Sequence, residues 1–222
     1  MFEALFPNVR AEQAWEYTYQ TLFMTGVSLV FIVIFGTILG LLLFLTSKDN
    51  LWENRILYAG ISAIVNIFRA IPFVLLIVLL IPFTRLLMGT MIGMTAALPA
   101  LIIGASPFFA RLVEIGLREI DKGVIEAAKA MGAGNLTIIL KVLLPEAMPA
   151  IISGITVTGV ALVGYTAIAG VIGAGGLGDY AYLVGFSMNN PDVTVFATIL
   201  ILMIVFILQF IGDFITKKID KR

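Results

Sequence analysis

The chain contains no cysteine and no histidine. Disulfides, thiolate metal sites, histidine-dependent triads and imidazole proton relays are therefore excluded, and neither a metal nor a cofactor is expected. Charge is scarce as well: Asp, Glu, Lys and Arg make up 13% of the 222 residues against 60% hydrophobic residues, and the mean hydropathy is +1.08. That balance lies far from the usage of a soluble domain and describes a membrane protein, with lipid as a constant partner. The net charge of zero by itself says nothing about nucleic acid, and no nucleic-acid partner is expected. Also missing is any G-x-x-x-x-G-K-[ST] loop, so the chain offers no phosphate cradle of that kind for ATP.

What is present is a series of long uncharged stretches at 17–47, 86–110, 147–178 and 193–212, with a fifth at 56–84 interrupted only by Arg69. Each can supply the roughly 20 residues that a helix needs to cross a bilayer. Backbone groups inside hydrocarbon must be satisfied internally, and these runs lack the polar-apolar alternation of barrel strands, so helices are the available solution. The expectation is an all-α membrane protein with five transmembrane helices, near 20–46, 56–84, 87–111, 146–171 and 193–216, in a single domain over 1–222. The first stretch follows Glu3, Glu12 and Glu16 without a short basic leader, and is expected to remain as a span.

Five spans put the termini on opposite sides, and the positive-inside rule assigns them. Lys48, Arg55, Arg111, Arg118, Lys122, Lys129, Lys141, Lys217, Lys218, Lys221 and Arg222 fall on one side, and only Arg10 and Arg85 on the other. The N-terminus is expected outside, the C-terminus in the cytosol, and the segment 117–135 in the largest cytosolic loop.

That loop is patterned. Lys122, Glu126 and Lys129 recur at helical spacing and are placed for side-chain pairing, while Val124, Ala127, Ala128 and Met131 form the opposite, apolar face. Gly132 is positioned as a helix stop and Asn135 as the cap of the next helix. An apolar face made mostly of alanine buries little area but admits a close backbone, which suits a protein groove better than a lipid surface.

Glu126, Ala127, Ala128, then Gly132, and nine residues later Val142, Leu144 and Pro145, resemble the EAA motif of membrane subunits of ABC importers. The one departure is Val142, where isoleucine is usual. The resemblance implies that this segment, with Met131, is a coupling helix that docks on a cytosolic ATPase subunit. Further stretches, "NIFRAIPF" at 66–73, "IPFTRLLMGT" at 81–90, "ALVGYTAIAGVIGAGGLG" at 161–178 and "QFIGD" at 209–213, are similar to the permeases of methionine importers. That similarity implies methionine, L or D, as substrate, with a second copy of the chain and two ATPase subunits as partners. It also implies an extracellular or periplasmic methionine-binding (lipo)protein, a prokaryotic cytoplasmic membrane location, and no catalytic residue in this chain.

Four further features call for a role. The span near 146–171 is dense in small and hydroxyl side chains and is the expected pathway-lining helix, with Thr158, Tyr165, Thr166 and Ile168 as candidate residues; a tyrosine hydrogen-bonded within the bundle is the alternative for Tyr165. Gly173, Gly175, Gly176 and Gly178 spell G-x-G-x-x-G, but they follow a membrane span and not a strand, so a dinucleotide site is rejected in favour of an irregular segment at the outer mouth. Gly36/Gly40 and Gly89/Gly93 are small-xxx-small pairs that permit close helix packing, between copies or within the bundle. Arg69, costing about 2.5 to 3.5 kcal/mol at a helix centre, either faces a watery cavity or snorkels to cytosolic headgroups from a span that starts late, near Ile71; the second is the simpler expectation.

Two functions of other classes compete. A gradient-driven transporter would place carboxylates near mid-span, where there are none; Glu114, Glu146 and Asp213 fall near span ends, with Asp213 spaced to pair with Lys217. A non-transporting scaffold would bind a partner through the 118–132 helix and move nothing. An importer for another small solute is the alternative within the favoured class.

Overall fold

The computed structural model describes residues 5–219; Glu3, Lys221 and Arg222, used above, lie outside them. Among the described residues the chain is helical throughout and contains no strand. It begins with α1 (Ala11–Thr46), followed by α2 (Arg55–Ala70), the short α3 (Phe73–Leu79) and α4 (Ile81–Met88), and the long α5 (Met94–Arg118). Then come α6 (Lys122–Ala130), α7 (Asn135–Ile138), α8 (Leu144–Ala169), a single turn α9 (Leu177–Asp179) and α10 (Pro191–Ile219). Wider π-helical turns at Ile139–Leu143, Gly170–Ala174 and Tyr180–Ser187 join the later helices.

Four helices are long and apolar enough to cross a membrane, and the α2–α3 pair makes a fifth candidate if it is counted as one bent span. The stretch 56–84, expected as one rod, is broken: α2 and α3 meet at 105°. The break sits where the sequence places Pro72. A residue before proline is pushed out of the helical region, and Ile71 is accordingly extended at φ −76°, ψ 123°.

In α5, 67% of the most apolar window is buried, against 17% in α10, so α5 is the central post and α10 a peripheral one. Close contact with α5 explains two of the small residues. A Cβ on Gly36 would stand 2.6 Å from the Phe109 ring, and one on Gly40 would stand 2.7 Å from the Ala110 carbonyl oxygen. This pair is a seam between α1 and α5 of the same chain. Gly89 and Gly93 pack nothing; at φ 73° and 97° they form the turn between α4 and α5. The expected Asp213–Lys217 pair does not form; Asp213 accepts from Gln209, one turn earlier, at 2.8 Å.

The bundle has two distinct ends. At one, the Asn8 backbone and side chain donate to Asp192, the Gly93 amide donates to the Gly173 carbonyl, and α1 meets the 173–178 loop. At the other lie the α1–α2 turn, the end of α5, α6 and the start of α8, and Lys48, Arg55 and Arg118 surround one hollow there.

Near this basic end one carboxylate ties α2 to α5. Glu114, 1% exposed, is paired with Arg111 and Arg118 and accepts from the Tyr58 hydroxyl at 3.3 Å, while Arg111 also donates to Ser62 and Asn66. Removing one member of such a cluster leaves the others desolvated and uncompensated. Glu114→Gln is therefore expected to destabilise the protein by about 2 kcal/mol, seen as a lower unfolding temperature in detergent.

Candidate functional site

The segment between α5 and α8 folds as a short protruding helix. Asp121 caps α6, accepting from the Gly123 amide at 2.7 Å. The helix closes on Gly132 at φ 79°, with the Gly132 amide bonded to the Lys129 carbonyl and the Ala133 amide to the Ala128 carbonyl. These are the paired bonds of a left-handed helix end, which glycine adopts without steric cost. The cap of α7 is Gly134 instead of the expected Asn135: the Gly134 carbonyl accepts the first bond, from Ile138, and Asn135 is already helical.

The two faces of α6 differ from the sequence expectation in an informative way. Ile125 and Ala128 are buried and join a core with Ile138, Ile139 and Leu143. Val124, Ala127 and Met131 are exposed, Met131 by 81%. The apolar residues thus divide into one face that anchors the helix to its own chain and another left bare. Ile125, the largest aliphatic side chain in the helix, was the signal for the anchoring face. Glu126 is exposed and forms no ion pair with Lys122 or Lys129; among the described residues the ion pairs are those of Glu114.

Pro145 and the half-buried Leu144 begin α8. A proline clashes with the carbonyl four residues earlier and lacks an amide to satisfy it; here that carbonyl belongs to Lys141, within the π-helical stretch Ile139–Leu143. The motif's last residue thereby accounts for the widened turn on which α6 rests.

On α8 the four pathway candidates separate. Thr158 and Thr166 are buried, and their hydroxyls bond to the carbonyls of Gly154 and Val163 at 2.7 Å, so they serve packing and line no accessible surface. Tyr165 and Ile168 share the accessible face, Tyr165 half-buried and Ile168 37% exposed. The Tyr165 ring lies parallel to that of Phe73, with centroids 4.4 Å apart. Both line a cavity of about 110 Å³ at the α2–α3 break, together with Phe68, Arg69, Gly104 and Phe108. Arg69, exposed at the last turn of α2, thus borders this cavity beside Gly104 and Phe108 of mid-α5.

The 173–178 loop is held, not loose. Gly173, Gly175 and Gly176 have φ of 98°, 79° and 85°. The Gly176 and Leu177 amides donate to Gln20 Oε1 at 2.7 Å and Thr21 Oγ1 at 2.8 Å on α1. Gly178 lies against the backbone of Ala167 with no room for a side chain.

A bundle of long apolar helices, with a short helix at its basic end that presents an unpaired carboxylate and bare apolar side chains, has the form of a multi-pass membrane component. The chain belongs to the family of binding-protein-dependent transport system inner membrane components, whose model matches residues 32–222. It is 64% identical over 222 residues, the full length of both chains, to the methionine import system permease protein MetP of Bacillus subtilis (strain 168). It is 46% identical over 205 residues, 92% of this chain and 94% of the relative, to the probable D-methionine transport system permease protein MetI of Pasteurella multocida (strain Pm70). Among solved structures, a chain of the MetNI methionine ABC transporter in an inward-facing conformation matches with a TM-score of 0.93 and 44% identity, covering 96% of this chain and all of that one. A chain of an amino acid ABC transporter shares the fold at 19% identity and a TM-score of 0.75, covering 98% of this chain and 95% of that one.

Proposed function

We propose that this chain is the membrane-spanning subunit of an ATP-driven methionine importer in a prokaryotic cytoplasmic membrane. Two copies enclose the pathway, two separate ATPase subunits dock on the α6 helices, and an extracellular methionine-binding protein delivers substrate at the 173–178 end. The chain crosses the membrane five times, the bent α2–α3 segment counting as one crossing, with the N-terminus outside. The separation of Lys48, Arg55 and Arg118 from the glycine-loop end supports that orientation. The EAA residues Glu126, Ala127, Ala128 and Gly132 carry the coupling, with Met131 beside them. Tyr165 and Ile168 face the pathway, and Gly173, Gly175, Gly176 and Gly178 shape its outer mouth. The observation that carries this reading is the bare face of α6: Val124, Ala127 and Met131 stand exposed beside an unpaired Glu126 in a segment the chain itself has anchored. Full-length identity with a methionine import permease supports the choice of solute.

The test is initial-rate uptake of labelled methionine by cells that lack this gene and any redundant methionine importer but retain the ATPase and binding-protein partners. Reintroducing the gene is expected to restore uptake that disappears on ATP depletion and persists with an ionophore. Restored uptake of a different solute alone would reject methionine and leave the architecture standing. Uptake that follows the ion gradient would reject the ABC mechanism.

A further inference from the structure

The cavity at the α2–α3 break holds a charge that the fold leaves unused. Three polar steps tie α2 to α5: Tyr58 to Glu114 and Arg118, then Ser62 and Asn66 to Arg111. The next turn of α2 brings Phe68 and Arg69 beside Phe108 and Gly104. Phe108 lies ten residues before the end of α5 at Arg118, about 15 Å along the axis. No hydrogen bond or ion pair engages the Arg69 guanidinium among the described residues, and no carboxylate lines the cavity. Apart from Gly104, the other residues that line it are aromatic or aliphatic, the stacked Phe73 and Tyr165 rings among them. Arg69 is exposed to this cavity's opening, and an arginine within a membrane bundle, away from the basic end, points to a ligand pathway.

The break adds an acceptor. The carbonyl of Phe68 would ordinarily receive the amide four residues on, but that residue is Pro72, which has none. A free carbonyl at the negative end of α2 suits a cation, as at the broken helices of other transporters.

We propose that this cavity is a substrate station within the pathway, where Arg69 takes the α-carboxylate of the transported amino acid while the Phe73–Tyr165 pair takes its apolar side chain. The proposal rests on the importer reading above. Guanidinium donors match a carboxylate in a planar, two-bond geometry, the Phe68 carbonyl accepts from the ammonium, and a thioether makes favourable contacts with ring edges. The station thus recognises a zwitterion with a flexible apolar tail, and Arg69 fixes its orientation.

The experiment uses the complete importer, with ATPase and binding protein, reconstituted in liposomes, and reads methionine moved per ATP hydrolysed. Arg69→Gln is expected to lower that ratio by about tenfold or more, and Arg69→Lys to restore little of it, because an ammonium cannot reproduce the fork. Tyr165→Ala is expected to lower it several-fold. An unchanged ratio in Arg69→Gln overturns the proposal, as does full rescue by lysine, which would mark a charge serving only the end of α2. Uptake and ATP hydrolysis falling together with thermal stability, at constant ratio, also overturns it in favour of a structural arginine. If the wild-type importer moves no methionine but moves another solute, the methionine reading fails separately, and the same ratio measured with that solute decides the station.

Discussion

Glu126→Lys is expected to reduce methionine uptake by about tenfold or more while the protein accumulates normally in the membrane. The carboxylate is exposed and makes no ion pair, so its replacement disturbs no contact of the fold. Surface substitutions away from special features usually change stability by about 0.5 kcal/mol or less. A large transport loss with an unchanged unfolding temperature would therefore lie in docking, where a like charge placed in a complementary groove is repelled. The direct check is co-purification of the ATPase subunit through an affinity tag on this chain, together with uptake. Loss of both is the expected pair of results. Loss of ATPase retention with uptake intact would refute the coupling role of α6. Ala127→Trp, adding bulk to the same bare face, should behave alike, whereas Ala128→Trp should also lower stability because Ala128 is 4% exposed inside the core.

Gly178→Val should destabilise the protein by about 3 kcal/mol or more, the largest stability effect anticipated for a single glycine. Any Cβ at this position would collide with the backbone of Ala167, and backbone cannot swing aside as a flexible side chain can. The loop would have to lift from α8, straining the bonds that Gly176 and Leu177 make to Gln20 and Thr21. The measurement is the thermal midpoint of the purified protein in detergent, with Gly60→Ala as the control. No atom lies within 4 Å of a Cβ built on Gly60, and it sits in the helix α2, so alanine there should be neutral or stabilising. Equal midpoints for Gly178→Val and wild type would show that the loop is not held against α8.

Much of this molecule was legible before its fold. The helical class followed from uncharged runs too long for strands, and the stop of α6 at Gly132 followed from local spacing, because helix ends depend on a few neighbouring residues. The break near Pro72 was passed over, although proline acts on its own turn, because the apolar run continues through it and length alone made one span of 56–84. The 105° angle was not visible, because it is set by how α3 rests against α5 and α8.

Other assignments required partners distant in sequence. Small residues at helical spacing announce close approach without saying to what: Gly36 and Gly40 meet α5 of their own chain, and Gly89 and Gly93 are merely a turn. The same limit governed α8, where Thr158, Tyr165, Thr166 and Ile168 were all candidates until packing buried the threonines and left Tyr165 and Ile168 accessible. Within α6, the apolar residues could be listed from the sequence, but the division between an anchoring Ile125 and a bare Met131 depended on the core beneath.

By itself the sequence determined that this protein lives in a membrane, is built of helices, and presents an EAA-like helix in a basic loop, because composition, hydrophobic length and capping are properties of neighbouring residues. Only the tertiary structure decided which face of that helix is free and that Arg69 and Tyr165 border one cavity at a broken helix. Those facts depend on residues beyond one turn of helix meeting in space, from Ile125 with Ile138 to Arg69 with Tyr165, and no local pattern specifies such a meeting.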